Sequence, residues 1–357
     1  MPEGHSVHRI ARQFARLFVG RVIAASSPQG RFAEGASLLD GRTMTAATAV
    51  GKQMFLRFGE DTWLRVHLGL YGAWDFAGDF RPDATTASAN GRMGQTNQRG
   101  TVVDDAAAVL GDGREAVHDG AGEDSLSSMG APRKARWRMA ESEKVTDDAL
   151  ESFPPEPIGQ VRVRLLSDNV VADLRGPTAC VVQSEEEIQA VIARLGPDPL
   201  HDDGPEAEER FVTTVRKKRS PIGLLLMDQS VVAGIGNVYR AELLFRARLD
   251  PHAPGTSLTE KQARDLWRDW ATLLRTGVET GQMMTMDDLS AEDYRKALAS
   301  RDDRHWVYHR TGLPCRVCGT HIAMEDMGGR ALYWCPKDQK PKRASRAKRP
   351  AASRATS

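Results

Sequence analysis

A chain of 357 residues with 49 basic and 48 acidic side chains has a formal net charge of +1. That length allows two or three domains with cores of their own, and the charge balance supplies no global field that would select nucleic acid. No apolar run reaches the roughly 18 residues of a membrane span. The N-terminus lacks the basic-then-apolar pattern of an export signal, so no membrane association and a cytoplasmic (nucleoid-associated) location are expected. Four cysteines are too few for a disulfide scaffold. Cys315, Cys318 and Cys335 cluster near the C-terminus, apart from Cys180, and that grouping points to metal.

The chain opens Met1-Pro2-Glu3-Gly4-His5. Once Met1 is removed, Pro2 presents a secondary amine, and an α-amino group titrates at roughly 7.7–8.0. Such an amine attacks electrophilic carbon and gives an iminium that cannot shed its charge at nitrogen, a strong electron sink. Glu3 beside it can move protons. Taken alone, the same start also suits an ordinary N-terminus.

Val7, Ile10, Ala11, Phe14 and Phe18 recur at helical spacing and predict a helix over 6–18. Strand patterns follow at 21–24, 43–46, 53–58, 62–68 and 73–76, several of them separated by Gly, Asp or Asn turns. From about 81 to 155 the chain is rich in Ala, Gly, Ser, Thr and Asp and poor in aromatics. Such a composition buries too little apolar surface to offset ordering entropy, so a disordered insertion is expected, with a small separate domain as the alternative. Strand pattern resumes at Val161-Arg-Val-Arg-Leu-Leu166 and at 170–174, which makes the insertion an interruption of one β-sandwich. A short helix at 185–195 leads into a Pro-, Gly- and acid-rich linker at 196–209. Helical pattern runs from 211 to about 275, and a further helix is predicted at 291–299. The fold class is therefore α+β and multidomain. The expected division is a catalytic sandwich at 1–184, a linker region at 185–210, a helical domain at 211–300, a metal-binding hairpin at 301–340 and a disordered basic tail at 341–357.

The segment Pro221-Ile-Gly-Leu-Leu-Leu-Met-Asp-Gln-Ser-Val-Val-Ala-Gly-Ile-Gly-Asn-Val-Tyr-Arg-Ala-Glu-Leu-Leu-Phe245 is the most specific string in the chain. Tight turns at Gly234-Ile-Gly236-Asn237 separate two helices, and amides at such a turn can hold a phosphate. Asn237 adds a side-chain donor, and Arg216-Lys217-Lys218-Arg219 adds local positive charge. The bland alternative is a packing element with a solvated basic face. The whole string, however, resembles the helix–two-turn–helix element of the formamidopyrimidine-DNA glycosylase and endonuclease VIII family, whose members also start Met-Pro-Glu. The resemblance covers about residues 1–78 and 156–338.

The resemblance implies a bifunctional DNA glycosylase and AP lyase of base excision repair, acting as a monomer on damaged DNA, duplex and in some contexts single-stranded. It makes Pro2 the nucleophile and Glu3 the proton shuttle. Lys52, in Gly51-Lys52 at a turn facing the N-terminus, becomes the residue that stabilises negative charge on the opening sugar or its phosphate. Leu70 and Tyr71, flanked by Gly69 and Gly72, become the wedge that fills the hole left by an extruded base. Asn237, Lys217 and Lys218 become DNA contacts, and Arg330 at a hairpin tip becomes a phosphate contact beside the lesion.

The same resemblance implies one structural zinc ion. Cys315-Arg-Val-Cys318 is a complete ligand pair, but the second pair reads Cys335-Pro-Lys-Asp338 where the family usually has Cys-Pro-x-Cys. A carboxylate can ligate Zn²⁺ at about 2.0–2.2 Å, so a three-Cys, one-Asp site is one possibility. His321 as fourth ligand and weakened or lost metal affinity are the others. The start Pro2-Glu-Gly-His-Ser6 and the late strand Asp173-Leu-Arg-Gly-Pro177 differ from the purine-specific branch and match the actinobacterial endonuclease VIII type. That branch implies oxidised pyrimidines as substrates. A rival from another class is a non-catalytic or weakly active damaged-DNA-binding protein of the same fold with an impaired zinc finger.

Overall fold

The computed structural model describes residues 2–79, 128–130, 153–202, 204–299 and 303–340. Helix α1 (Gly4–Leu17) comes first. Its apolar stripe, Val7, Ile10, Phe14 and the following Phe18, is buried in the sandwich core, as the helical spacing predicts.

The sandwich is one antiparallel sheet folded on itself. In chain order its strands are β1 (Val22–Ser26), β2 (Arg42–Val50), β3 (Gln53–Phe58), β4 (Thr62–His67), β5 (Ala73–Gly78), β6 (Ser128–Gly130), β7 (Val161–Leu166), β8 (Val170–Arg175) and β9 (Ala179–Gln183). They hydrogen-bond in the order β6-β5-β8-β7-β1-β2-β3-β4-β9. Strand β1 divides its pairing: Val22 and Ile23 face β2, and Ala24 to Ser26 face β7. That division lets the two halves close face to face. Met54, Leu56, Leu64 and Val66 from one half then share a core with Trp74, Phe76, Leu165 and Leu174 from the other.

Two elements of this domain escaped the sequence patterns. Helix α2 (Ala33–Leu39) has seven residues and buries only Ala36 and Leu39, too few to show a period. Strand β9 closes the far edge against β4, but Pro177 just before it masks the strand signal. Three residues of the expected disordered insertion form β6, antiparallel to β5. Of the rest of that insertion, 81–127 and 131–152 lie outside the described residues, as does the basic tail (341–357).

Helix α3 (Glu185–Ala193) starts with a capping box between Ser184 and Glu187. The second domain packs α4 (Pro205–Lys217), α5 (Ile222–Leu225), α6 (Asn237–Arg246) and α7 (Glu260–Thr280) around Phe211, Leu226, Tyr239, Leu243, Trp267 and Leu274. Helix α7 is capped by a Thr259–Gln262 box and stopped by Gly281 in the left-handed conformation, φ 71°. Helix α8 (Ala291–Ala299) precedes a two-stranded hairpin, β10 (Ala323–Asp326) and β11 (Ala331–Trp334). Fully buried Glu242 of α6 fastens this last lobe. Its carboxylate accepts from the amides of Trp306 (2.8 Å), Val307 (2.9 Å) and Tyr308 (2.8 Å).

Candidate active site

The first residues of the chain lie between the two domains. Glu3 is 1% exposed. Its carboxylate sits at the N-terminus of α6, where Oε2 accepts from Gly236 N (3.0 Å) and Tyr239 N (3.4 Å) and Oε1 from Val238 N (2.9 Å). The first amides of a helix lack partners within it and carry partial positive charge, so an anion belongs there. Glycines make the approach possible. A Cβ on Gly236 would lie 2.4 Å from Glu3 Cδ, and one on Gly4 would lie 2.9 Å from Gly234 Cα. Gly4 N donates to Gly234 O at 2.9 Å. Of the amides at this turn and helix start, those of Gly236, Val238 and Tyr239 are given to Glu3 and that of Gly234 to Gln229 Oε1 at 3.0 Å.

Lys52 follows Gly51, whose φ of +58° makes the tight turn between β2 and β3. Its Nζ donates to Ile235 O at 2.7 Å. Burial lowers its pKa to about 8; nearby Glu3 opposes that shift and Arg330 adds to it. Buried Asp198, in the segment that joins the domains, steadies this turn. Its carboxylate accepts from Gly51 N, from His8 Nε2 of α1 at 2.7 Å and from Leu200 N at 2.8 Å. One side chain thus ties the helix that follows Pro2, the turn carrying Lys52 and the linker together.

Pro2, Lys52, Leu70 and Arg330 line a single open cavity of about 470 Å³. Glu3 follows Pro2 and is seated in the helical domain's turn. Leu70 is 45% and Tyr71 39% exposed, large for apolar side chains. They sit on a turn whose Gly69 has φ +65° and whose Gly72 N donates to Leu68 O at 2.9 Å. Arg330 reaches the cavity from the hairpin tip, after Gly328 and Gly329 with φ of 67° and 73°.

Other predicted site residues fall elsewhere. Asn237 does not line the cavity; its Nδ2 donates to Ala331 O at 2.9 Å and its Oδ1 accepts from Arg240. It joins α6 to β11. Lys217 is exposed at the end of α4, and Lys218 pairs with Asp228 at 3.6 Å; neither lines the cavity. Residues on its wall that carry no site role in the sequence reading include His67, Gln229 and Arg240. Burial, and then the charges of Lys52 and Arg65, lower the His67 pKa and so favour its neutral form. Fully buried Arg240 donates to Met327 O (3.1 Å) and Ala331 O (3.2 Å) and so holds the hairpin.

Cys315, Cys318, Cys335 and Asp338 converge, with ligand atoms all within 4.8 Å of one another. Asp338 Oδ2 lies 3.1 Å from Cys315 Sγ and 3.5 Å from Cys335 Sγ, and the Cys318 and Cys335 sulfurs are 3.5 Å apart. The amides of Val317 and Asp338 point at the sulfurs of Cys315 and Cys335, as they do around metal-bound thiolates. Three soft sulfurs and one oxygen brought this close together suit zinc. His321 stands outside the group.

Three family models match the chain. The formamidopyrimidine-DNA glycosylase N-terminal domain matches residues 1–115, that enzyme's H2TH domain 195–288, and the zinc finger found in FPG and IleRS 312–341. Endonuclease 8 1 of Mycobacterium tuberculosis (strain H37Rv) is 36% identical over 337 residues, 94% of this chain and 98% of that protein. Formamidopyrimidine-DNA glycosylase of Thermus thermophilus is 39% identical over 149 residues, 42% of this chain and 55% of that one. Among solved structures, the Lactococcus lactis formamidopyrimidine-DNA glycosylase bound non-covalently to DNA with an AP site superposes with a TM-score of 0.63 at 18% identity. It covers 95% of this chain and 100% of its own.

Proposed function

The chain belongs to the formamidopyrimidine-DNA glycosylase and endonuclease VIII family of base-excision-repair DNA glycosylases, and on that premise we propose that it is a bifunctional glycosylase and AP lyase for oxidised pyrimidines. The observation that carries this reading is the meeting of Pro2, Lys52 and Arg330 on one cavity. A carboxylate, Glu3, is fixed beside the prospective nucleophile. An amine, a carboxylate and two cations gathered at one cavity favour chemistry over lesion binding alone.

In this reading damaged duplex DNA lies across the cavity, the lesion nucleotide flips out, and Leu70 and Tyr71 enter the gap. The Pro2 nitrogen forms a bond to C1′ of the deoxyribose while the C1′–base bond breaks, and the departing base takes the proton lost from the Pro2 N–H. Glu3 protonates the ring oxygen, which opens the sugar and leaves an iminium between Pro2 and C1′. The iminium acidifies C2′. Loss of that proton expels the 3′ phosphate, a second elimination expels the 5′ phosphate, and water releases the sugar remnant from Pro2. Lys52 and Arg330 balance phosphate charge through these steps. Zinc, when held by the three cysteines and Asp338, cross-links the hairpin that carries Arg330.

The decisive measurement is incision of oligonucleotides bearing thymine glycol, dihydrouracil, 8-oxoguanine or an abasic site, single- and double-stranded. Cleavage at the two pyrimidine lesions and at the abasic site, with phosphate on both new ends, is expected. Cleavage confined to 8-oxoguanine would overturn the pyrimidine assignment, and none at any site would overturn the enzyme.

The pH profile follows from two amines. Pro2 must be unprotonated, so the rate rises as pH passes through the α-amino range, roughly 7.7–8.0 for a free terminus. Lys52 must be charged. Its pKa is lowered to about 8, so the charge is present below that pH and lost above it, and the rate falls on the alkaline side. A narrow bell is expected in single-turnover incision. In Lys52→Arg the alkaline limb should disappear while the acid limb stays; an unmoved alkaline limb would remove Lys52 from that role.

A further inference from the structure

Helix α6 closes with an unusual residue. Arg248 N donates to Phe245 O and Leu249 N to Leu244 O, each at 3.0 Å. This paired pattern puts the residue just past the helix end in the left-handed conformation, a place that favours glycine because a Cβ is strained there. The occupant is Arg248, with φ 51°.

Its side chain shows what the strained position achieves. The guanidinium lies over the Phe245 ring, 4.3 Å from the centroid, and Nη1 is 3.6 Å from Asp338 Oδ2. That same oxygen faces the sulfurs of Cys315 and Cys335. Two exceptions therefore meet at one atom. An arginine stands where the backbone favours glycine, and a carboxylate stands where the ligand set of the family has a thiolate.

The geometry points to Arg248 as the outer partner that makes Asp338 a competent zinc ligand. A carboxylate rotates, carries two oxygens and exchanges with water more readily than a thiolate. A fixed guanidinium orients it and offsets part of the negative charge of three thiolates and a carboxylate. A cysteine at 338 has no oxygen for Arg248 to hold, so the dependence on Arg248 is specific to the aspartate. This inference rests on Asp338 being the fourth ligand.

The test uses zinc-loaded full-length protein and follows zinc transfer to a chromophoric chelator, with cobalt(II) absorption as a second readout of the ligand field. Arg248→Gly removes the guanidinium and relieves the backbone, so faster zinc loss in it does not arise from strain. With Asp338 present, Arg248→Gly should speed zinc release about 10-fold. In the Asp338→Cys background the same change should alter it less than about twofold. Equal acceleration in both backgrounds, or none in either, overturns the pairing. Asp338→Ala that keeps zinc as well as the parent protein overturns the ligand assignment beneath it. Rapid loss from Asp338→Ala with an unchanged Arg248→Gly overturns the pairing alone.

Discussion

Blocking the Pro2 nitrogen is expected to lower strand incision by at least about 10³-fold, because the bond-forming atom is then an amide without a free electron pair. The cleanest variant keeps the side chains and adds residues before Pro2, or retains Met1 by changing the processing. Pro2→Gly is less informative, since glycine also offers a terminal amine once Met1 is removed. Borohydride added during the reaction reduces the iminium to a stable amine, so wild-type protein should become covalently attached to abasic DNA. The extended variant should yield no adduct while still binding the same DNA through Arg330 and the Leu70–Tyr71 turn. A full-strength adduct from the extended protein would sink Pro2 as nucleophile and direct attention to Lys52, the other amine on the cavity wall.

The chain's own patterns revealed those residues that act through local sequence. The helical period of Val7, Ile10 and Phe14 points to α1 because it buries one continuous stripe, and short apolar runs between turns point to β3 and β4, which bury residues on both faces. Pro2 stands out as a terminal amine and Leu70 and Tyr71 as apolar residues between glycines, whereas Lys52 and Arg330 are picked out only by the family resemblance. What sequence could not show is contact between distant polar groups. Asp198 meets His8 across 190 positions and leaves no periodic trace. Arg240 reads as a helix-surface arginine until the hairpin covers it. That the amides of Gly236, Val238 and Tyr239 go to Glu3 is not legible locally, because Glu3 stands 233 positions earlier than Gly236. A buried carboxylate and a bound phosphate satisfy the same donors, so the local sequence is identical for both.

That substitution of a carboxylate for a phosphate gives Glu3 two jobs, and the variants that separate them carry the second large effect. Glu3→Gln keeps the size of the side chain and one oxygen, but its amide group must face the N–H of Gly236 or Val238, donor against donor. A loss of about 1–3 kcal/mol in unfolding free energy is expected from that mismatch, read from denaturant curves. Base removal should fall about 10²–10⁴-fold, the usual contribution of a positioned proton donor. A preformed abasic site needs no base removal, so its cleavage and its borohydride adduct should decline much less. Glu3→Ala leaves all three amides buried and unpaired and should be the less stable of the two. If Glu3→Gln lost stability yet removed bases at the wild-type rate, Glu3 would be a staple between α1 and α6 with no proton to give. If both reactions fell together in step with stability, the displaced α1 terminus, and with it Pro2, would account for the loss. Only a large gap between the glycosylase and lyase steps, at a stability that leaves the protein folded, assigns the proton transfer to Glu3.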